Sequence, residues 1–369
     1  MKSTNFLRET LRKRTTAGGF YTKLTGSKVQ CFACAHECTL KPGQFGVCHL
    51  RFNQEGTLQV PHGYVAGMGL DPIEKKPFFH FSPGALTMSF GMVGCNFHCS
   101  FCQNWVSAQS LNDPTVSFPA QYLTPISSEE VVHAAKRNHA SVVVSTYNEP
   151  FITMEWAVEI FQKAHEEGMQ TAMVSNGFGT QQAIEKLSPH LDALKIDLKS
   201  FSDDRYRELG GRLQPVLDTI GWAREAGLWV EIVTLLIPEW NDSKEEIWNL
   251  TRFLAGVSRD IPWHVTSFHP DYHMQDRNRT NASSLSLAAE LGQEAGLNYV
   301  YAGNLPGKVG SLENTYCPHC QKELITRRGF FISHNRITAQ GACPACETPI
   351  AGYFPPERQN RSLYHSFLV

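Results

Sequence analysis

Eleven cysteines fall into three compact groups with none left over: Cys31, Cys34, Cys38 and Cys48, then Cys95, Cys99 and Cys102, then Cys317, Cys320, Cys343 and Cys346. Thiolates grouped in this way are metal ligands, whereas disulfide frameworks belong to small secreted scaffolds, which a chain of 369 residues does not resemble. The middle group is the most informative. Spaced C-x3-C-x2-C within GMVGCNFHCSFCQNW, it offers one sulfur fewer than an iron–sulfur cluster normally takes, so a cluster held there keeps one iron open to a ligand or substrate. The alternative is a zinc ion completed by His98 or by a distant side chain. That alternative leaves unexplained the loop's position after a strand and the aromatic Phe101 before the last cysteine.

The last group is a pair of Cys-x-x-Cys knuckles separated by 22 residues that read as a hairpin, ELITRRGFFISHNRIT. This is a zinc-ribbon pattern, with a rubredoxin-like iron as the alternative. The first group, C-x2-C-x3-C-x9-C, fits a closed zinc site, the favoured reading, or an auxiliary iron–sulfur cluster with an electron path to Cys95, Cys99 and Cys102. Its module has only Phe32, Leu40, Phe45 and Val47 for a core, so it needs a metal staple.

What positions these groups is a series of apolar runs, 85–90, 141–146, 171–175, 193–198, 229–237, 263–268 and 298–303, read as strands of one parallel sheet buried on both faces. Amphipathic segments at 127–138, 150–168, 214–227 and 243–256 read as the helices between them. Alternating βα units with right-handed crossovers imply an α/β barrel, open or closed, with its chemistry at the C-terminal ends of the strands. The expected division is 1–62, an extension with the four-cysteine module; 63–309, the catalytic core; and 310–369, the ribbon-like module and tail.

Composition sets limits. With 42% hydrophobic residues and a formal charge of -2, the chain reads as a globular protein with no bias toward polyanions, so nucleic acid finds no support there. No window approaches the roughly 18 apolar residues of a membrane span and no secretory signal is evident, so cytoplasmic residence without membrane attachment is the expectation. The stretch with Arg8, Glu9, Arg12, Lys13 and Arg14 reads as a solvated helix.

The cysteine loop, with DPIEKKPFFHF (71–81), TYNEP (146–150), YAGNLPG and NTYCPHC, resembles the AmmeMemoRadiSam system radical SAM enzymes, relatives of the pyruvate formate-lyase-activating enzymes, from about Cys31 to Tyr353. The resemblance implies a partial (β/α)6 barrel. It also implies a [4Fe-4S] cluster on Cys95, Cys99 and Cys102 whose open iron is chelated by S-adenosyl-L-methionine, cleaved to methionine and a 5′-deoxyadenosyl radical. Phe90, Met92 and Val93 are candidates for the dry walls such a radical needs. Asn148 and Glu149 stand where the superfamily often has a Gly-Gly-Glu-Pro turn for the cofactor's ammonium group. Ser175 and Asn176 match a Thr-Asn-Gly segment, and Asp197 and Lys199 match Asp-Leu-Lys, with Lys199 toward the cofactor's carboxylate. His269 or His273 would supply a further contact. The partners implied are a protein substrate and an electron donor such as flavodoxin or ferredoxin. An RNA-modifying enzyme using Arg327, Arg328 and Arg336, and a non-catalytic metal scaffold, are the alternatives.

Overall fold

A run such as Val142–Ser145 has no polar face, so it must be covered on both sides, and all four residues are buried. The computed structural model describes residues 2–355. The chain divides into two compact units, one comprising the residues up to Asp71, Thr87–Leu228 and Pro270–Asp276, the other Pro72–Leu86, Trp229–His269 and the residues from Arg277 on.

In the first unit the strands lie in the order Ala193–Asp197, Gln170–Ser175, Val142–Ser145, Leu86–Gly91 and Gly67–Pro72. The first four are parallel, with Ser145 opposite both Phe90 and Met173, and Ser175 opposite Ile196, so their C-terminal ends are level. The expected helices appear as Ser128–Arg137, opened by a capping box between Ser127 and Glu130, Met154–Glu166 behind a turn of 3-10 helix, and Leu213–Glu225. The short helices Gln181–Leu187 and Asp203–Glu208, and the edge strand Gly67–Pro72, were not expected from periodicity.

The N-terminal segment carries more structure than a bare metal module. Strands Tyr21–Lys23, Val29–Cys31 and Thr39–Leu40 form one small sheet, and Thr15–Ala17, Thr57–Pro61 and Phe52–Gln54 another. Helix Lys2–Arg12 is amphipathic rather than simply solvated: Leu7 and Leu11, one turn apart, are buried. Arg51 fastens this segment to helix Met154–Glu166 through a fork on Glu155, Nη1 to Oε2 at 2.6 Å and Nη2 to Oε1 at 2.7 Å, with the guanidinium only 2% exposed. Removing one partner of such a pair strands the other charge. Arg51→Ala is expected to lower stability by about 3–5 kcal/mol in urea titrations, and Arg51→Met with Glu155→Leu to recover most of it.

In the second unit Trp229–Leu236, Trp263–Ser267 and Val300–Gly303 are parallel, with helices Lys244–Val257 and Ala282–Glu294. The expected hairpin is present as Glu323–Arg328 and Phe331–Asn335, and Thr315–Tyr316 pairs with its first strand. Phe79, from the DPIEKKPFFHF segment, packs in a core with Tyr299, Tyr301, Cys317, Leu324, Ile325, Cys343 and Ile350. The buried carboxylate of Glu231 accepts from the backbone of Phe79 and His80, both at 2.9 Å, and lies 2.7 Å from His264 Nε2, so the resembled segment acts here as a packing strap. Arg327 is buried, stacked on Phe79 and bonded to its carbonyl, and so offers no phosphate contact. Among the described residues no helix is long and apolar enough to cross a membrane.

Candidate functional site

Each level strand end in the first unit contributes one piece of the site. After Leu86–Gly91 comes the cysteine loop, which turns at Gly94 with φ +93°, where a Cβ would meet Leu50 at 2.7 Å. Cys99 is buried, and Cys95 and Cys102 are half-buried. The loop is pinned through its backbone: Gln109 Nε2 donates to the Phe97 carbonyl at 3.0 Å and Asn112 Nδ2 to that of Cys95 at 3.2 Å. Phe97 and Phe101 are buried beneath it. The Phe97 ring lies so close to Gly211 that a Cβ there would stand 2.4 Å from it.

After Val142–Ser145, Tyr147 adopts φ +72°, the conformation glycine takes readily, so the turn shape survives without glycine. Its hydroxyl donates to Asp71 at 3.2 Å. The Asn148 side-chain Oδ1 accepts from the Met92 backbone N–H at 3.0 Å, tying this turn to the cysteine loop. Glu149 is a buried hub that accepts from Phe151 N at 2.9 Å, Ser175 Oγ at 2.7 Å and Asn176 N at 2.8 Å. The amide of Asn176 in turn donates to Asn96 at 2.8 Å. Phe90, Met92 and Val93 are all buried.

Burial pushes the Glu149 carboxyl up to about 7. Because this lies above the ordinary carboxylate value of the unfolded chain, the group favours folding while protonated and loses that contribution as pH rises from about 4.5 through 7. Glu149→Gln is expected to remove this slope from urea titrations at pH 5 and 8. It also turns an N–H toward the backbone donor of Asn176, at a cost of about 1–3 kcal/mol at pH 8.

At the end of Ala193–Asp197, Asp197 binds two lysines, Lys195 directly and Lys199 at 3.3 Å. Burial opposes the charge on Lys199, but Asp197 and Cys99 outweigh it and hold the ammonium above its usual range. Two ammonium groups on one carboxylate leave a net positive charge beside the loop. Burial pushes the Cys99 thiol up to about 12 and Cys95 well above its usual range, while Lys199 pulls Cys99 down. Three such thiols ionise together only against further positive charge, which suits a metal centre.

The sequence reading missed several participants. Lys195 was hidden in an apolar run, where a lone lysine signals a buried partner. Asp113 is another: its carboxylate bonds the Tyr272 hydroxyl and lies 2.6 Å from His273 Nε2, while His273 N donates to Ser100 O at 2.9 Å. His273 thus packs on the cysteine loop. His269 belongs to the second unit and is half-buried just after Trp263–Ser267.

In the second unit Cys317, Cys320, Cys343 and Cys346 bring their sulfurs within 4.8 Å of one another, with Cys317–Cys346 and Cys320–Cys343 both at 3.6 Å. Bonds of about 2.3 Å from a tetrahedral zinc would set its sulfurs about 3.8 Å apart.

A parallel α/β unit with a three-thiol loop and a lysine-flanked aspartate at its strand ends could hold a metal cluster with one position open to a ligand. The chain belongs to the radical SAM superfamily, whose signature matches residues 90–254, and it is an enzyme capable of S-adenosylmethionine-dependent radical chemistry at a metal cluster. It is 38% identical over 310 residues to the uncharacterized protein MJ0808 of Methanocaldococcus jannaschii, covering 84% of this chain and 90% of that one. It is 24% identical over 216 residues to the pyruvate formate-lyase-activating enzyme of Clostridium pasteurianum, covering 53% and 84%. Among solved structures, a radical SAM methyltransferase from Sphaerobacter thermophilus matches with a TM-score of 0.47 at 18% identity, covering 62% and 71%.

Proposed function

We propose that Cys95, Cys99 and Cys102 hold a [4Fe-4S] cluster and that the enzyme abstracts hydrogen from a protein substrate, as an activase-like or protein-modifying member of the AmmeMemoRadiSam system radical SAM enzymes. These three thiols would hold the cluster, which when bound and reduced would supply the one electron needed to split S-adenosylmethionine into methionine and a 5′-deoxyadenosyl radical. The chain's own residues bind and shield. Lys199, steadied by Asp197, receives the cofactor's carboxylate; the Tyr147–Asn148–Glu149 turn presents backbone carbonyls to its ammonium group; Phe101 and Met92 keep water from the reacting carbon. The open cavity lined by Met92, Asn104, Ser107 and Tyr147 beside the loop is the candidate entry for substrate. Flavodoxin or ferredoxin is the electron donor in this reading. The last four cysteines take zinc, as their 3.6 Å sulfur contacts suit.

The observation that carries the reading is the net positive Asp197–Lys195–Lys199 group set beside the three thiols. For the substrate class, the support is the similarity to pyruvate formate-lyase-activating enzymes, whose name describes action on another enzyme. The test supplies the reduced enzyme with S-adenosylmethionine and deuterated host protein, RNA or small-molecule fractions in turn. Deuterium entering 5′-deoxyadenosine from the protein fraction is expected; entry from the RNA or small-molecule fraction alone contradicts the assignment.

A further inference from the structure

The first four cysteines and the radical loop meet at one residue. Asn96 follows Cys95 directly and is 2% exposed. Its backbone carbonyl lies 3.0 Å from His36 Nε2, between Cys34 and Cys38, and its Oδ1 accepts from Asn176 at 2.8 Å and lies 3.8 Å from Cys95 Sγ. With Oδ1 fixed in this way, the Nδ2 end turns to the Cys34 thiol, within reach but without a well-aligned hydrogen bond. The backbone of Ala35 also donates to the Phe178 carbonyl at 3.1 Å, and His36 packs edge-on against the Phe178 ring. The segment between Cys34 and Cys38 therefore lies directly on the loop that carries Cys95.

A second buried donor lacks a partner in the same module. Arg51 gives both terminal nitrogens to Glu155 and Ile152, and its Nε is left unbonded while its charge acts on Cys31 and Cys48. Orphaned N–H groups are rare in a folded interior. Two of them around four thiols match a site whose sulfurs become acceptors once ligated, and N–H bonds to sulfur are a principal control on the potential of an iron–sulfur cluster. The arrangement also differs from the chain's own zinc-like site: among the described residues, only the last four cysteines bring all their donor atoms within 4.8 Å. A single ion draws its sulfurs that close, whereas a four-iron cube spreads them over its corners.

We infer that Cys31, Cys34, Cys38 and Cys48 hold an auxiliary [4Fe-4S] cluster that passes electrons through Asn96 to the cluster on Cys95, Cys99 and Cys102. The inference rests on the radical reading given above for the loop. One electron enters from a low-potential one-electron donor of the ferredoxin or flavodoxin class, reduces the auxiliary cluster, and crosses to the loop cluster, reoxidising the first. No proton or bond changes in the transfer.

The test counts metals in the anaerobically reconstituted full chain, then in a variant with Cys95, Cys99 and Cys102 all changed to alanine. About eight irons and one zinc are expected in the parent under [4Fe-4S] stoichiometry, and about four irons with a reduced-cluster paramagnetic signal in the variant. About four irons and two zincs in the parent would overturn the proposal without any appeal to the variant. The two readings fail separately: eight irons with neither 5′-deoxyadenosine nor a change in the reduced spectrum on adding S-adenosylmethionine would sink the radical reading, and four irons with product would sink this one. Asn96→Leu reads the bridge. It is expected to shift the auxiliary cluster's potential negative by about 59 mV, a tenfold change in its reduced-to-oxidised ratio for one electron, with the iron count intact. An unchanged potential would overturn the placement of the Asn96 amide against the auxiliary cluster's sulfurs.

Discussion

Cys99→Ala is expected to cut 5′-deoxyadenosine formation by more than about 100-fold, since even residues that only support metal ligands cost 10–100-fold when changed. Cys99 is the buried member of the three and the one on which Lys199 acts most directly. Its loss leaves Cys95 and Cys102, too few to hold a cluster with one open iron, so the iron assigned to the loop should leave with the activity. The backbone pins on the loop come from Gln109, Asn112 and Leu209 and do not involve the Cys99 side chain, so the fold should survive. Iron analysis beside the chromatographic assay checks both parts. A variant that keeps its iron and its product formation would show the loop to be structural.

Lys199→Met is expected to weaken S-adenosylmethionine binding by roughly 10–100-fold, the loss of one charge-assisted hydrogen bond of about 1.5–3 kcal/mol. The aspartate does not become an unpaired buried charge, because Lys195 still holds it. The change should therefore appear in affinity, read by titrating the cofactor against the reduced cluster's paramagnetic spectrum, with iron content unchanged. An unaltered titration would mean that Lys199 only balances the charge of Asp197.

Much of the scaffold was legible because it rests on one physical demand. Strands covered on both faces must be apolar throughout, and the runs that became Val142–Ser145, Gln170–Ser175 and Trp229–Leu236 carry little else. The order of motifs then located the site, since the cysteine loop, the turn at Tyr147 and the Asp197–Lys199 segment each follow a strand. Elements of two or three residues, such as Thr39–Leu40, are too short to show a period, and Gln181–Leu187 gives barely two turns.

Within the site, what could not be read was contact at long range. Asp113 meets Tyr272 and His273 about 160 positions later, and no local pattern announces such a pair. Nothing local marks Asn96, which lies between two cysteines of the loop. Its importance comes from Cys34 and Asn176, both distant in the chain, converging on one buried amide. The conformation of Tyr147 could not be read locally either: a bulky residue in a glycine-like conformation contradicts local preference, and the hydrogen bond to Asp71 that secures it is itself a tertiary contact. Asn148, expected at the cofactor turn, has its side-chain Oδ1 engaged by Met92 N, a contact that no local pattern announces either.

The most direct measurement is to reconstitute the chain anaerobically, reduce it, add S-adenosylmethionine and quantify 5′-deoxyadenosine and methionine. Equal amounts of both are expected, dependent on the reductant and on Cys95, Cys99 and Cys102. A fully loaded loop cluster that yields neither product, and whose reduced spectrum does not change when the cofactor is added, would contradict the radical reading.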